Sequence, residues 1–148
     1  MSEALDPVAF AAKFNLWKRG TMLEAHGTRF LRAGEGQAVA QLDFKPELAQ
    51  LTGRFHAGAL IALADEAATA AALWEVDPSG ELDPQRFPLT FQLSANLLRN
   101  TDRGTLTAEA QLVHRGRTTL VAQVRVSDDQ GRLLALVTAT LLVPQAGR

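Results

Sequence analysis

The chain contains no cysteine. This absence excludes disulfides, thiolate nucleophiles and zinc sites with cysteine ligands. Its three histidines, His26, His56 and His114, lack metal-ligand spacing, so we expect neither a metal nor a redox cofactor. Neither positive nor negative charge is in large excess, because the formal net charge is −1. A nucleic-acid partner is therefore not expected, since such proteins usually carry an excess of Lys and Arg.

Targeting and membrane segments are not predicted either. The first twenty residues lack the basic leader and apolar stretch of a secretory signal. The most apolar segment, Phe55–Val76, contains His, Asp and Glu, which argues against a membrane span. We expect a cytoplasmic protein. The 148 residues show no repeat or linker, so one domain over residues 1–148 is predicted.

The first half of the chain predicts two helices and a strand pair. Asp6 as N-cap and Pro7 at the first helical position predict a short helix within residues 1–20. Leu23–Leu31 and Gln37–Phe44 are predicted as paired strands. A long helix is predicted over Ala57–Val76, because this segment is rich in alanine and ends at Asp77-Pro78-Ser79-Gly80. Its surface is apolar nearly all round, as in a buried helix.

The second half predicts four strands in a meander. Residues 89–98 alternate between apolar side chains (Phe91, Leu93, Ala95, Leu97) and polar ones (Thr90, Gln92, Ser94, Asn96). Strands also follow in 105–112 and 118–126, and the run 132–143 is apolar enough for a strand covered on both faces. The pattern predicts an α+β architecture in which an antiparallel sheet of about six strands wraps one central helix, the hotdog fold.

Two adjacent carboxylates interrupt the predicted central helix. Asp65 and Glu66 are surrounded by alanine, leucine and isoleucine, where a charge is costly unless it has partners or water. Successive helical residues point about 100° apart, so at most one of the two is expected to face a given site. A functional carboxylate, a solvent-exposed edge and an ion pair with arginine are all compatible with this pattern.

The start of the same helix offers hydrogen-bond donors. The first backbone N–H groups of a helix have no intrahelical partner and lie at the positive end of the dipole. The amides of Ala57 and Gly58 would therefore be able to hold an oxyanion. Glycine at positions 53 and 58 is equally compatible with a tight turn and close packing.

The run GRFHAGALIALADEAATAAA resembles the signature of hotdog thioesterases of the phenylacetate-pathway and 4-hydroxybenzoyl-CoA types, including the nine residues from His56 to Asp65. PLTFQLSANLLRN and LVHRGRTTLVAQVRVSDDQGRLLALVTATL are similar to the family's later strands. The resemblance covers residues 36–143 and implies hydrolysis of an acyl-CoA thioester, with coenzyme A as part of the substrate. Asn100 departs from the proline that relatives commonly carry.

The resemblance also implies roles for single residues. Asp65 falls on the family's carboxylate, which acts as general base or nucleophile, and Ala57 on the residue whose amide binds the thioester carbonyl. Gln50 falls where some members orient water with Asn, and Thr90 where some place a hydroxyl. Gln50 is one methylene longer than Asn, and Thr90 is equally compatible with an ordinary strand threonine. For His56 the resemblance implies shaping of the helix entrance.

Helix geometry adds an expectation about assembly. Ala57 and Asp65 are eight residues apart, which is about 12 Å along a helix axis. One carbonyl cannot contact both at hydrogen-bond distance within one chain. If both act on one thioester, they come from different subunits, in agreement with the family's dimer-interface sites, and we expect a homodimer or a dimer of dimers.

Arginines gather at predicted turns, and the forked donors of arginine suit the phosphates of coenzyme A. The candidates for substrate binding are Arg99 and the turn Arg115-Gly116-Arg117, which resembles a basic–Gly–basic turn of the family; solvated loop arginines explain them as well. The sequence thus predicts an acyl-CoA thioesterase. The alternatives are a hotdog acyl-thioester hydratase or dehydratase, and a non-catalytic acyl-CoA-binding protein.

Overall fold

The structure is a computed structural model that describes residues 2–145. Its elements follow the predicted order of helix, strand pair, long helix and further strands. The helices are α1 (Pro7–Trp17), α2 (Met22–His26), a 3₁₀ turn (Pro46–Leu48) and α3 (Ala57–Val76). The strands are β1 (Arg29–Gly34), β2 (Gln37–Asp43), β3 (Leu89–Leu97), β4 (Thr105–Arg115), β5 (Thr119–Ser127) and β6 (Leu133–Leu142).

All six strands form one antiparallel sheet in the order β1-β2-β4-β5-β6-β3. The expected four-strand meander is therefore wrong in one respect, because β3 pairs with β6 and not with its sequence neighbour β4. The chain from β3 to β4 crosses the sheet, and β3 lies at a free edge. The sheet curls around α3, so the predicted hotdog architecture is confirmed.

Helix α3 is the centre of the core. It begins and ends at the predicted residues, and its alanines and leucines are mostly buried against the sheet. Small side chains allow the strands to approach the helix closely, since the interior packs at crystal-like density. By length and mean hydropathy this helix could cross a membrane, but 61% of its most apolar window is buried within the fold, as in a core helix.

The predicted strand Leu23–Leu31 is corrected by the structure. Met22–His26 forms helix α2, and Gly27 ends it in the left-handed region with φ of 90°. Leucine, glutamate and alanine favour helix, and glycine adopts a positive φ without steric cost. The strand therefore starts only at Arg29.

The structure agrees with the predicted N-terminal cap and with the predicted first hairpin. Asp6 accepts hydrogen bonds from Val8 N (3.0 Å) and Ala9 N (2.9 Å), as expected for an N-cap. The hairpin between β1 and β2 turns at Glu35 and Gly36, both with positive φ, the two-residue turn that suits twisted strands.

The last strand differs from its prediction. Its apolar run predicted cover on both faces, but β6 is buried mainly on the face toward α3. On the other face Leu136 and Leu142 remain 36% and 43% exposed. The alternation between the two faces is hidden in the sequence because both contain leucine.

Candidate active site

The start of α3 is arranged around His56, its N-cap residue. His56 Nδ1 accepts a hydrogen bond of 2.8 Å from the amide of Gly58. Because Nδ1 acts as acceptor, the imidazole proton of this arrangement is on Nε2. His56 thus lies at the helix entrance as a capping residue.

The cap decides which amides of the helix start remain available. Gly58 N–H is engaged by His56, so the expectation that Gly58 supplies a second oxyanion donor does not fit this arrangement. Among residues 2–145, no acceptor forms a hydrogen bond with the Ala57 N–H. The free donor at the positive end of α3 is therefore the amide of Ala57.

A cavity of about 310 Å³ opens beside the start of α3. It is lined by Ala57, Leu60, Leu97, Leu98, Arg99 and Asn100. Its wall is apolar apart from the last two residues, and the Arg99 guanidinium donates a 3.3 Å hydrogen bond to the Leu133 carbonyl. A ligand with an apolar part and a carbonyl fits such a wall and donor.

Asp65 lies two turns further along α3 and is half-buried. Thr90 Oγ1 donates a hydrogen bond of 2.7 Å to Asp65 Oδ1. Thr90 belongs to the edge strand β3, so the carboxylate lies under the free edge of the sheet. The structure thus brings two of the predicted site residues together.

A β-bulge in β3 makes this contact possible. Thr90 pairs with Leu141 but Gln92 pairs with Thr140, which leaves Phe91 as the extra residue. Directly paired residues share a face of the sheet, and Leu141 is fully buried toward α3. The bulge therefore turns Thr90 to the inner face, as bulges near functional sites often do.

Glu66 points elsewhere. It is 8% exposed, and neither of its carboxylate oxygens has a hydrogen bond of normal geometry among the described residues. Burial raises the pKa of Glu66 to about 7, a change that the nearby Thr28 hydroxyl and the charge of Lys18 partly oppose and the charge of Asp65 reinforces. Of the two adjacent carboxylates, Asp65 is therefore the one that reaches the sheet edge.

Gln50 and the predicted basic turn lie away from Asp65 within one chain. The Gln50 side-chain carbonyl accepts from the Thr52 amide in the loop before α3. Arg115 forms an ion pair of 3.0 Å with Glu75, near the end of α3 opposite to Ala57. Gly116 closes the β4–β5 turn through its amide and the Thr119 carbonyl (2.8 Å). Arg117 is exposed and has no carboxylate partner within residues 2–145.

The edge strand carries a feature that the alternation pattern did not reveal. Nearly all of β3 is exposed. Its large exposed apolar residues are Leu89 (57%), Phe91 (61%), Leu93 (38%) and Leu97 (48%). A long exposed edge strand with large apolar side chains and unpaired backbone groups is a template for pairing with another strand.

Comparison with known proteins assigns the family. The profile of the thioesterase superfamily matches residues 52–135, which include α3, β3, β4 and β5. The chain belongs to the thioesterase superfamily. The predicted fold and the resemblance to the hotdog thioesterases are thereby confirmed. The general chemistry of the family is hydrolysis of thioesters.

Individual relatives extend over most of the chain. A 1,4-dihydroxy-2-naphthoyl-CoA hydrolase from Listeria monocytogenes is 28% identical over 81% of this chain and 93% of its own. A variant of a thioesterase from Pseudomonas aeruginosa has 27% identity and a TM-score of 0.82, with 91% and 94% of the two chains covered. A variant of the phenylacetic acid degradation protein PaaI from Thermus thermophilus has 28% identity and a TM-score of 0.71, with 82% and 96% covered.

Proposed function

We propose that this protein hydrolyses an acyl-CoA thioester to the free acid and coenzyme A. The observation that carries the proposal is the Asp65 carboxylate held by Thr90 at 2.7 Å under a free sheet edge. The same helix presents, at Ala57, an amide that makes no hydrogen bond within the described residues. Support for a CoA thioester comes from the Listeria monocytogenes relative, whose name describes a hydrolase of this class. Such a substrate is expected in the cytoplasm.

The proposed chemistry needs one carboxylate, one amide and water. The Ala57 amide polarises the thioester carbonyl and holds the oxyanion that forms when oxygen attacks the carbonyl carbon. Asp65 takes the proton of the attacking water, or attacks the carbon itself and forms an anhydride that water then opens. The C–S bond breaks, and the sulfur leaves as coenzyme A thiolate, which takes up a proton. No metal or redox group enters these steps.

The proposal includes a homodimer in which two β3 strands pair. Ala57 and Asp65 lie eight residues apart on one continuous helix, about 12 Å along its axis. Antiparallel pairing of β3 with a copy of itself sets the Leu89 end of one strand against the Leu97 end of the other. The cavity around the partner's Ala57 then adjoins Thr90 and Asp65, because Leu97 and Leu98 line that cavity.

The same pairing brings the arginine candidates together. Within one chain Arg99 follows the Leu97 end of β3, whereas the Arg115–Arg117 turn lies at the Leu89 end, since Thr119 and Leu89 both pair with Leu142. In the proposed dimer the partner's Arg99 therefore lies at the same end of the sheet as Arg117. Two cations from two subunits would suit the phosphates of coenzyme A.

The test is release of free thiol from short, medium, long and aromatic acyl-CoAs. Wild type is compared with Asp65→Asn and with Glu66→Gln as the matched neighbour on the same helix. We expect turnover in wild type, a loss of roughly a hundredfold or more in Asp65→Asn, and near-normal turnover in Glu66→Gln. Binding of CoA without hydrolysis would instead favour an acyl-CoA-binding protein, and hydration of an enoyl-CoA a hydratase.

A single-turnover reaction in ¹⁸O-labelled water tests the nucleophilic route of Asp65. If Asp65 acts as general base, the oxygen added to the acid comes from water and the first product is labelled, as it also is when water opens an anhydride at the acyl carbon. If Asp65 attacks the carbonyl and water then opens the anhydride at the carboxylate carbon of Asp65, the first product carries an unlabelled oxygen and the label stays on the protein. Mass spectrometry of the acid and of the peptide that contains Asp65 measures both.

A further inference from the structure

Asn100 contacts the backbone immediately before the helix start. Its side-chain Nδ2 donates a hydrogen bond of 2.8 Å to the carbonyl of Phe55, and its Oδ1 accepts one of 2.8 Å from the Thr101 amide. The second bond fixes the orientation of the side-chain amide, so the nitrogen faces Phe55. The side-chain amide of Asn100 thus donates to one backbone segment through its nitrogen and accepts from another through its oxygen.

The peptide unit between Phe55 and His56 is held at both ends. Its carbonyl accepts from Asn100, and its N–H donates to the carbonyl of Leu48 at 2.8 Å. On the preceding side, Phe55 N donates to Thr101 O at 3.0 Å, and the Phe55 ring is fully buried against Phe44. The segment that leads into α3 is therefore fixed by three hydrogen bonds from two different loops.

Only the two backbone torsions of His56 separate this peptide unit from the Ala57 N–H. They have values of −66° and 137°, and the His56 side chain is itself bonded to Gly58. The direction of the free Ala57 N–H follows from the orientation of the Phe55–His56 peptide and these torsions. Oxyanion stabilisation depends on such preorganisation of the donor.

We propose that Asn100 is a positioning residue that fixes the Ala57 amide for the oxyanion by holding the Phe55 carbonyl. The inference rests on the proposed thioester hydrolysis for its kinetic consequence, but its structural consequence stands without it. Asn100 also lies in the wall of the 310 Å³ cavity next to Ala57. It therefore joins the wall of the substrate cavity to the backbone that carries the oxyanion donor.

The test changes the donor of Asn100 with little change in shape. Asn100→Asp keeps an acceptor for Thr101 N–H but removes the donor to Phe55, and Asn100→Leu removes both groups of the amide at similar size and without adding charge. Asp102→Asn, an exposed residue in the same turn, is the reciprocal control. Acyl-CoA hydrolysis is measured together with the ¹H–¹⁵N amide signal of Ala57 in the ligand-free protein.

We expect both Asn100 variants to lower kcat by roughly tenfold to a hundredfold, with KM within about twofold of wild type, and to shift the Ala57 amide signal. Asp102→Asn should leave all three unchanged. A merely structural role would lower thermal stability and the active fraction without a specific change at Ala57. The Asn100→Leu variant serves the same comparison if Asn100→Asp fails to fold.

The amide signal separates this inference from the proposed function. If wild type hydrolyses no acyl-CoA while Ala57 still shifts in the Asn100 variants, the positioning role stands and the proposed function fails. If wild type is active and the variants keep its kcat, the inference is overturned. A fall in kcat with an unmoved Ala57 signal also overturns it, because Asn100 then acts by another route.

Discussion

The Thr90 hydroxyl reaches the Asp65 carboxylate at 2.7 Å because strand β3 contains one residue more than its partner strand at Phe91. Without that bulge, Thr90 would share a face with Gln92, which pairs with Thr140 on the outer side of the sheet. A backbone irregularity thus supplies the hydrogen bond that orients the proposed catalytic carboxylate. The bond also leaves Oδ2 of Asp65 free of this donor.

Removal of the Thr90 hydroxyl should therefore impair catalysis more than folding. In Thr90→Val we expect kcat to fall by roughly tenfold, part of the contribution that a positioned general base makes, and stability to fall by about 1 kcal/mol. Thr140→Val on the outer face of β6 is the matched control and should keep full activity. Thiol release and urea unfolding measure the two effects. Unchanged turnover in Thr90→Val would contradict the orienting role.

The bulge also shows where sequence reasoning ends. Strict alternation in residues 89–98 grouped Thr90 with the polar residues Gln92, Ser94 and Asn96, and only the family resemblance singled it out. A bulge inserts a residue without an obvious change of pattern. The pairing of β3 with β6 escaped prediction for a related reason, since partners distant in sequence are set by the whole sheet and not by local periodicity.

Local signals with strong physical causes predicted the structure well. The cap at Asp6 and the bounds of α3 follow from residues within one turn. The sequence did not predict which amide at the helix start is free, because the hydrogen bond from the Gly58 amide to His56 depends on the rotamer of His56. The different orientations of Asp65 and Glu66 were predicted only in part. The angle between successive helical residues indicated that the two side chains face different ways, but not which of them reaches the sheet edge.

The buried Glu66 should make stability depend on pH. Burial raises its pKa from 4.5 to about 7, so the folded state holds the proton more tightly than the unfolded state. The stabilisation is fully present below pH 4.5 and is lost as the pH rises through 7. The free energy of unfolding of Glu66→Gln, relative to that of wild type, should therefore rise by roughly 2 to 3 kcal/mol between pH 4 and pH 8.

Urea unfolding of both proteins across this pH range measures the effect. The exposed Glu47 provides a control, because Glu47→Gln removes the same type of charge without burial. Parallel pH profiles for wild type and Glu66→Gln would show that Glu66 ionises normally in the folded protein. A gain of the same size in Glu47→Gln would trace the effect to net charge.

The cap at the start of α3 predicts an unusual response to alanine. A Cβ at Gly58 would lie 2.9 Å from His56 Nδ1, so Gly58→Ala should displace the imidazole. Alanine normally favours a helix by up to about 1 kcal/mol over glycine, but loss of the cap costs about 1 kcal/mol. We expect Gly58→Ala to be neutral or destabilising in wild type and stabilising in a His56→Ala background. Thermal unfolding of the four proteins completes the cycle, and equal effects in both backgrounds would exclude coupling.

The exposed edge of β3 predicts how the active assembly can be broken. Leu93 lies at the centre of this strand and is 38% exposed, so in the proposed dimer it meets the partner strand. Leu93→Lys places two like charges at the two-fold axis, where desolvation and repulsion oppose pairing. We expect a monomer by sedimentation velocity and a loss of turnover of at least roughly a hundredfold, because the partner's Ala57 no longer reaches Asp65.

The control is Leu16→Lys on α1, where the leucine is 73% exposed. This variant should leave the mass of the assembly and the activity unchanged. A fully active Leu93→Lys monomer would refute the shared site, since one helix cannot bring its own first amide to Asp65.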